Sequence, residues 1–311
     1  MLIEKELAEA RPERETALTI GVFDGVHLGH QRLIEKLRQK ATKDNLISGV
    51  VTFRNHPRLV LSPHARLTYL TSLPERIGLL RSLGVELIVT LSFTPEVAQL
   101  GAREFVALLR RYLKMRALVI GPDFALGRGR EGNVASLQAL GKELNFSVDV
   151  VSPRTWRGAV VSSTAIRQAL SQGDMRKASE LLGRRFRLGG EVVTGDKRGR
   201  ALGFPTANIV PDSDKTLPAD GVYVTLAFLG QKVYRSVTNI GVRPTFDGGQ
   251  RLIEVHLLNF EDGDLYGQEL QIELVERLRG EIRFASVEEL KAQMANDVKE
   301  TKKILGSKVS E

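Results

Sequence analysis

The sequence predicts an α/β chain in two halves, a doubly wound parallel sheet followed by an antiparallel barrel or sandwich with a closing helix. Three observations carry this. Through the first half, short β-branched apolar runs alternate with amphipathic helical patterns. Beyond about residue 184 the helical patterns give way to strands separated by turn signals. A last amphipathic stretch, 286–305, is helical again. A length of 311 residues suits two domains at roughly 150 each, and we draw the boundary between 1–184 and 185–311.

In order, the runs LTIGVF (18–23), ISGVVTF (47–53), ELIVTLS (86–92), ALVIGP (117–122) and SVDVVSP (147–153) read as strands buried on both faces. QRLIEKLRQK follows the first, and PERIGLLRSLG, AREFVALLRRYL and VASLQALGKEL precede the third, fourth and fifth. Strand–helix–strand alternation requires right-handed crossovers, and such sheets take ligands beyond the carboxyl ends of their strands. In the second half, GVYVTLAFLGQKVYRSVTNIG (221–241) reads as a hairpin about Gly230, and RLIEVHLLNF and ELQIELVERL flank the turn EDGDLYG. Ser286 is the expected N-cap of the closing helix, with Glu289 completing a capping box.

Composition excludes several classes. With 42% hydrophobic and 26% charged residues the chain is an ordinary folded protein. No apolar run approaches the roughly 20 residues of a membrane span, and the first residues carry no secretory pattern. There are no cysteines, so thiolate zinc, iron–sulfur and cysteine-nucleophile chemistry are out of reach. Together these predict a cytoplasmic protein without a membrane partner. The formal net charge of +8 attracts polyanions. No basic run or RNA-binding aromatic motif accompanies it, so small phosphates are expected rather than nucleic acid.

The segment GVFDGVHLGHQRLI (21–34) places a strand end at Phe23, a tight Asp24-Gly25 turn and a helix start near Gly29. His27 and His30 then stand at a helix N-terminus, where amides and the helix dipole favour an anion, and Gly29 allows close backbone approach. This suits attack on a nucleotide α-phosphate, stabilised by positioned donors. Two histidines three apart also allow a metal site, for which Asp24 is available as a third ligand although it fits the turn better. In SSTAIR (162–167), Ser163 or Thr164 caps a helix and Arg167 lies on its first turn, a set that suits a triphosphate or is a plain cap. GRGREG (127–132) matches G-x-G-x-x-G, but GPDFAL separates it from its strand, which is the fourth. A dinucleotide fingerprint follows the first strand at once, so we read a glycine-rich mobile loop.

The second half carries VVTGDKRGRALGFPTANI (192–209). Gly195, Gly199 and Gly203 make turns, Lys197, Arg198 and Arg200 bring charge, and Thr206 and Asn208 offer oxygen ligands suited to Mg²⁺. No G-x-x-x-x-G-K-[ST] exists, so a kinase here is not of the P-loop class. Glu254 alternates with Ile253 and Val255 on a strand. It is a general base if it faces a cleft and a solvated side chain if it does not. Arg243 sits in the turn-rich NIGVRPTF (239–246).

In this order GVFDGVHLGH, SSTAIR, GFPTAN, NIGVRPTF and IEVHLL resemble the bacterial bifunctional riboflavin kinase/FMN adenylyltransferases over essentially the whole chain. The resemblance implies a Rossmann-like nucleotidyltransferase domain making FAD from FMN and ATP. It also implies a C-terminal six-stranded β-barrel making FMN from riboflavin and ATP. It assigns His27 and His30 to the ATP phosphates, with Gly21, Phe23, Asp24, Gly29, Ser163, Thr164 and Arg167 around them. Asp123, Asn55 and Arg243 fall on the flavin side. In the kinase, Gly195, Gly203, Thr206 and Asn208 hold ATP, Thr206 and Asn208 also organise Mg²⁺, and Glu254 is the base. ATP is a co-substrate, and no tightly bound prosthetic group is implied. Two segments depart from the family pattern. Asn55-His56-Pro57 stands where Pro-His-Pro is common, and Leu126 in Asp123-Phe124-Ala125-Leu126-Gly127 stands where an aromatic is common. HxGH alone also suits an adenylyltransferase of pantetheine phosphate or nicotinamide mononucleotide, and HxGH-like loops with a basic charge suit an RNA-binding module.

Overall fold

The structure is a computed structural model that describes residues 1–62, 64, 66–195, 202–242, 251–261 and 263–306. Lys197, Arg198, Gly199, Arg200 and Arg243 lie outside the described residues. The chain forms two compact units, Met1–Ser163 and Thr164–Glu311.

In the first unit the helices are α1 (Leu2–Ala8), α2 (Leu28–Lys43), α3 (Pro57–Leu61), α4 (Leu73–Ser82), α5 (Pro95–Gln99), α6 (Ala102–Leu113) and α7 (Val134–Leu144). The main strands are β1 (Thr16–Ile20), β2 (Ile47–Phe53), β3 (Leu87–Leu91) and β4 (Met115–Ile120). The short pair β5 (Ala125–Leu126) and β6 (Gly132–Asn133) precedes β7 (Ser147–Val150), and β8 (Thr155–Trp156) and β9 (Ala159–Val160) form a small hairpin. The five main strands are those expected. They pair in parallel in the order β3-β2-β1-β4-β7. Connections leave β1 in opposite directions, toward β2 on one side and β4 on the other, so the switch point lies between β1 and β4. The loops following these two strands, 21–27 and 121–124, sit at the carboxyl ends flanking it. Two apolar clusters, one including Leu18, Val51, Leu109 and Leu118 and the other Ala17, Ile34, Leu37 and Val50, supply the core.

One expectation shifts. β1 stops at Ile20, not Phe23, because Phe23 turns into the left-handed region at φ +53°. In GRGREG two of the three glycines are closely packed: a Cβ at Gly127 or Gly132 would lie 2.6 or 2.7 Å from Ala102 at the start of α6, whereas Gly129 faces open space.

The second unit opens with α8 (Ser163–Ser171), which begins one residue earlier, and α9 (Met175–Leu182). A closed barrel follows, built from β10 (Phe186–Val193), β11 (Ala207–Ile209), β12 (Gly221–Leu229), β13 (Lys232–Val242), β14 (Arg251–Leu257) and β15 (Glu269–Arg279). Its order is β10-β11-β14-β13-β12-β15, antiparallel throughout. Barrel, not sandwich, is therefore the outcome, and the β12–β13 hairpin turns at Gly230 with φ +57°. The closing helix is α10 (Val287–Gly306). Ser286 Oγ accepts from Glu289 N as expected, but Glu289 Oε2 reaches Ala285 N rather than Ser286 N, so the box is displaced by one residue.

Candidate functional site

The loop after β1 is backbone-strained. Phe23 and Val26 both hold positive φ, +53° and +39°, with Gly25 at +82° between them. Such conformations in non-glycine residues cost energy and persist where surroundings impose them. Here the buried Asp24 is the anchor. Its Oδ1 accepts from Leu70 N at 2.9 Å and Thr71 N at 3.1 Å, and Gly25 N donates to Thr71 Oγ1 at 3.0 Å. Asp24 is thus spent on the backbone of the neighbouring segment. Thr52 Oγ1 donates to Val22 O at 3.0 Å, tying the loop to β2.

His27 is the N-cap of α2. Its Nδ1 accepts from Gly29 N at 3.1 Å and His30 N at 3.3 Å. These amides, expected to face an anion, are therefore taken by the imidazole, and the tautomer so fixed carries its proton on Nε2. Gly29 makes room for this: a Cβ there would meet the His27 ring at 3.0 Å and Val161 O at 3.3 Å. A Cβ at Gly21 would meet the Phe23 ring at 3.2 Å. The rings of His27 and His30 stack with centroids 3.7 Å apart, and buried Phe23 packs edge-on to His30 at 5.1 Å. His30 is held well below the ordinary imidazole value of 6.5, first by desolvation, then by the charges of His27 and Arg76. Its Nδ1 is buried without a hydrogen-bond partner.

Arg76 is a residue that sequence reasoning missed. It reads as a solvent-facing charge in PERIGLLR, yet it is 1% exposed. Nη1 donates to Phe53 O at 2.9 Å and Thr52 Oγ1 at 3.4 Å, and the guanidinium lies 5.8 Å from the Tyr69 ring centre.

Ser163 is the first helical residue of α8 and not its cap; its hydroxyl donates to Asp24 O at 2.9 Å. Arg167 is the fifth residue of α8, just past its first turn. Asn55 uses both ends of its amide on Phe93, Nδ2 donating to Phe93 O at 2.8 Å and Oδ1 accepting from Phe93 N at 2.9 Å. Asp123, on the loop after β4, is exposed, and its carbonyl accepts from Arg130 at 3.0 Å.

The barrel carries a second site. Thr206, Asn208 and Glu254 come together on the wall of a cavity of about 710 Å³ on the outer face of the barrel, beside residues of α10 such as Leu290 and Met294. Asn208 and Glu254 are cross-strand partners on β11 and β14. Gly195 explains its own identity, since a Cβ there would lie 2.1 Å from Asn208 Nδ2. Gly203 holds φ +88° in open space. Three further residues were not read from the sequence. Asn239 Nδ2 donates to Glu254 Oε2 at 3.3 Å. His256 Nδ1 lies 2.8 Å from Pro205 O and stacks edge-on with Phe204, bracing the 203–208 turn. Arg279, also on the wall, is paired with Asp297 of α10 at 2.8 Å. The missed signal is cross-strand register, which a single strand's alternation does not contain.

Among the described residues no group of three or more His, Cys, Asp or Glu could hold a metal ion, and no helix is long and apolar enough to cross a membrane. Thr206 and Asn208 nevertheless fit a hard cation that takes most of its ligands from phosphate and water.

Comparison with known proteins agrees with this two-site arrangement. The FAD synthetase family model matches residues 9–165 and the riboflavin kinase family model residues 182–305. The bifunctional riboflavin kinase/FMN adenylyltransferase of Escherichia coli K12 is 42% identical over 92% of this chain and 91% of its own. That of Pseudomonas fluorescens is 39% identical over 96% of each. A Streptococcus pneumoniae crystal structure named a macrolide-efflux protein superposes with a TM-score of 0.90 at 32% identity, covering 97% of both chains. The chain therefore belongs to the bifunctional riboflavin kinase/FMN adenylyltransferase family.

Proposed function

We propose that the two activities divide at residues 184/185, with FMN adenylylation in 1–184 and riboflavin phosphorylation in 185–311. In the barrel, Glu254 takes the proton of the ribityl 5′-hydroxyl as that oxygen attacks the γ-phosphorus of ATP; the bond to ADP breaks and FMN forms. The observation that carries this reading is the meeting of Glu254, Thr206 and Asn208 on one cavity wall large enough for a flavin. Thr206 and Asn208 would hold Mg²⁺, which when bound draws charge from the phosphate oxygens. Gly195 and Gly203 shape the turns around the nucleotide, and Arg243 is assigned to the flavin side.

In the first half, an oxygen of the FMN phosphate attacks the α-phosphorus of a second ATP and pyrophosphate leaves. No base is needed, because that phosphate is already ionised at neutral pH. His27, through Nε2–H, and the neutral His30 donate to the phosphates and hold the developing charge. Gly21, Phe23, Asp24 and Gly29 shape and brace the loop that presents them. Ser163, Thr164 and Arg167 complete the phosphate set by motif. Asn55 and Asp123 are assigned to the flavin edge, where Asn55 acts by fixing the Phe93 backbone. The absence of cysteine suits a reducing compartment, and we place the enzyme in the cytoplasm.

The experiment is a product time course with riboflavin, ATP and Mg²⁺, the flavins being separated by chromatography. Glu254→Gln is expected to slow riboflavin phosphorylation by roughly 10²–10⁴-fold while sparing FAD formation from supplied FMN. His27→Ala and His30→Ala are expected to do the reverse. Loss of both steps in any one folded variant would refute two independent sites.

A further inference from the structure

Glu254 does not stand alone on its wall. The barrel register runs Asn208, Glu254, Asn239, Val222 and Arg279 in one row across β11, β14, β13, β12 and β15, and all five line the same cavity. The carboxylate is flanked by an amide on either side. Only one of these donates to it: Asn239 Nδ2 reaches Glu254 Oε2 at 3.3 Å, while the Asn208 amide is packed against the Gly195 backbone. Among the described residues no other donor touches the Glu254 carboxylate. Asn239 is also dispensable to the core. Its neighbours Thr238 and Ile240 are fully buried in the barrel, whereas Asn239 is half-buried and faces the cavity.

We propose that Asn239 is the positioning residue of the kinase base, holding Oε2 so that Oε1 is the oxygen presented to the substrate hydroxyl. The proposal rests on the reading of Glu254 as the base. The terminal torsion of a glutamate is broad and nearly two-fold, so an unrestrained carboxylate spends much of its time with neither lone pair aimed at the hydroxyl. One donor on one oxygen fixes the carboxylate plane. The other charged or titratable groups lining this cavity are His256 on β14, Arg279 and Glu281, Arg283, and Asp297 on α10. Arg279 is already neutralised by Asp297, and His256 Nδ1 is engaged with Pro205 O.

The test measures riboflavin phosphorylation by full-length Asn239→Ala, Asn239→Asp and Asn239→Gln as kcat and KM, with Glu254→Gln in parallel. Riboflavin binding, followed by flavin fluorescence quenching, shows that each barrel is folded. Asn239→Ala is expected to lower kcat about tenfold and leave both KM values within about twofold. Asn239→Asp, which replaces the amide donor with an acceptor, is expected to lose at least as much, and Asn239→Gln to recover part of kcat. FMN adenylylation stays unchanged. If Asn239→Ala keeps kcat while Glu254→Gln is inactive, positioning by Asn239 is wrong and the base survives. If Asn239→Ala raises KM alone, the amide is a substrate contact and the proposal falls. If Glu254→Gln remains active, the base reading itself has failed.

Discussion

At the N-terminus of α2, the imidazole of His27 caps its own helix through Nδ1 and leaves Nε2–H as the donor to a substrate. The neighbouring His30 is kept neutral first by desolvation, and then by its electrostatic coupling to His27 and Arg76. That has a thermodynamic consequence with a definite sign. An unfolded histidine binds a proton near 6.5, whereas native His30 does so only at lower pH. Between those limits the unfolded state holds more protons, so stability is lost as pH falls through 6.5 and downward. Urea unfolding of the wild type from pH 7.5 to 5.5 is expected to show this loss, and His30→Gln to flatten it. His27 and His30 stand out in the sequence because one short motif holds both, and Glu254 because IEVHLL resembles a family motif. The placements of Asn239 and Arg76 could not be read, because each depends on a partner on another element: Glu254 across a strand pair, and Thr52 and Phe53 across a helix–strand contact.

Among the elements, α10 shows how a charge that reads as solvated becomes structural. Asp297 looks like one of many polar residues on an amphipathic helix, yet it is 5% exposed. It accepts from Arg279 Nε at 3.1 Å and Nη2 at 2.8 Å, and from Gln293 at 2.9 Å. Arg279 is the last residue of β15, so this pair pins the helix to the barrel rim beside the flavin-sized cavity. Asp297→Ala would leave a guanidinium mostly out of water without its partner, and the expected cost is about 3 kcal/mol. The urea midpoint of the barrel transition would report it, with Asp297→Asn losing less. At this scale most of the fold could be read directly. β2 runs over the residues expected and the other main sheet strands lie within a few residues of their apolar runs; β1, β2 and β4 are buried on both faces as such runs require, whereas the edge strands β3 and β7 are only partly buried. β11 escaped because only three residues, Ala207–Ile209, form it, inside a segment dominated by Gly and Pro.

For the molecule as a whole, the division by packing at 163/164 differs from the division of activities proposed at 184/185. The motif SSTAIR straddles the limit of the two compact units at 163/164. Helix α9 buries Met175, Ala178, Leu181 and Leu182 and packs on β10 and β15. The proposed catalytic boundary at 184 would strip this cover from the barrel. Fragments 164–311 and 185–311 are both expected to phosphorylate riboflavin, but the shorter is expected to be less stable by at least about 4 kcal/mol, from the apolar side chains it can no longer bury. Comparing their urea midpoints and kinase rates checks both halves of that statement.

The closing of the barrel by β15 also bears on how the protein is made. This strand lies between β10 and β12 and pairs with both, Leu274 meeting Phe186 on one side and Thr225 on the other. Until the ribosome has released the segment around 269–279, two earlier strands have bare edges with nothing to pair with. A nascent chain stalled or cleaved before that point would carry ready templates for strand addition by other chains. Quality control therefore meets its greatest aggregation hazard late in synthesis, after the N-terminal sheet already has all its strands.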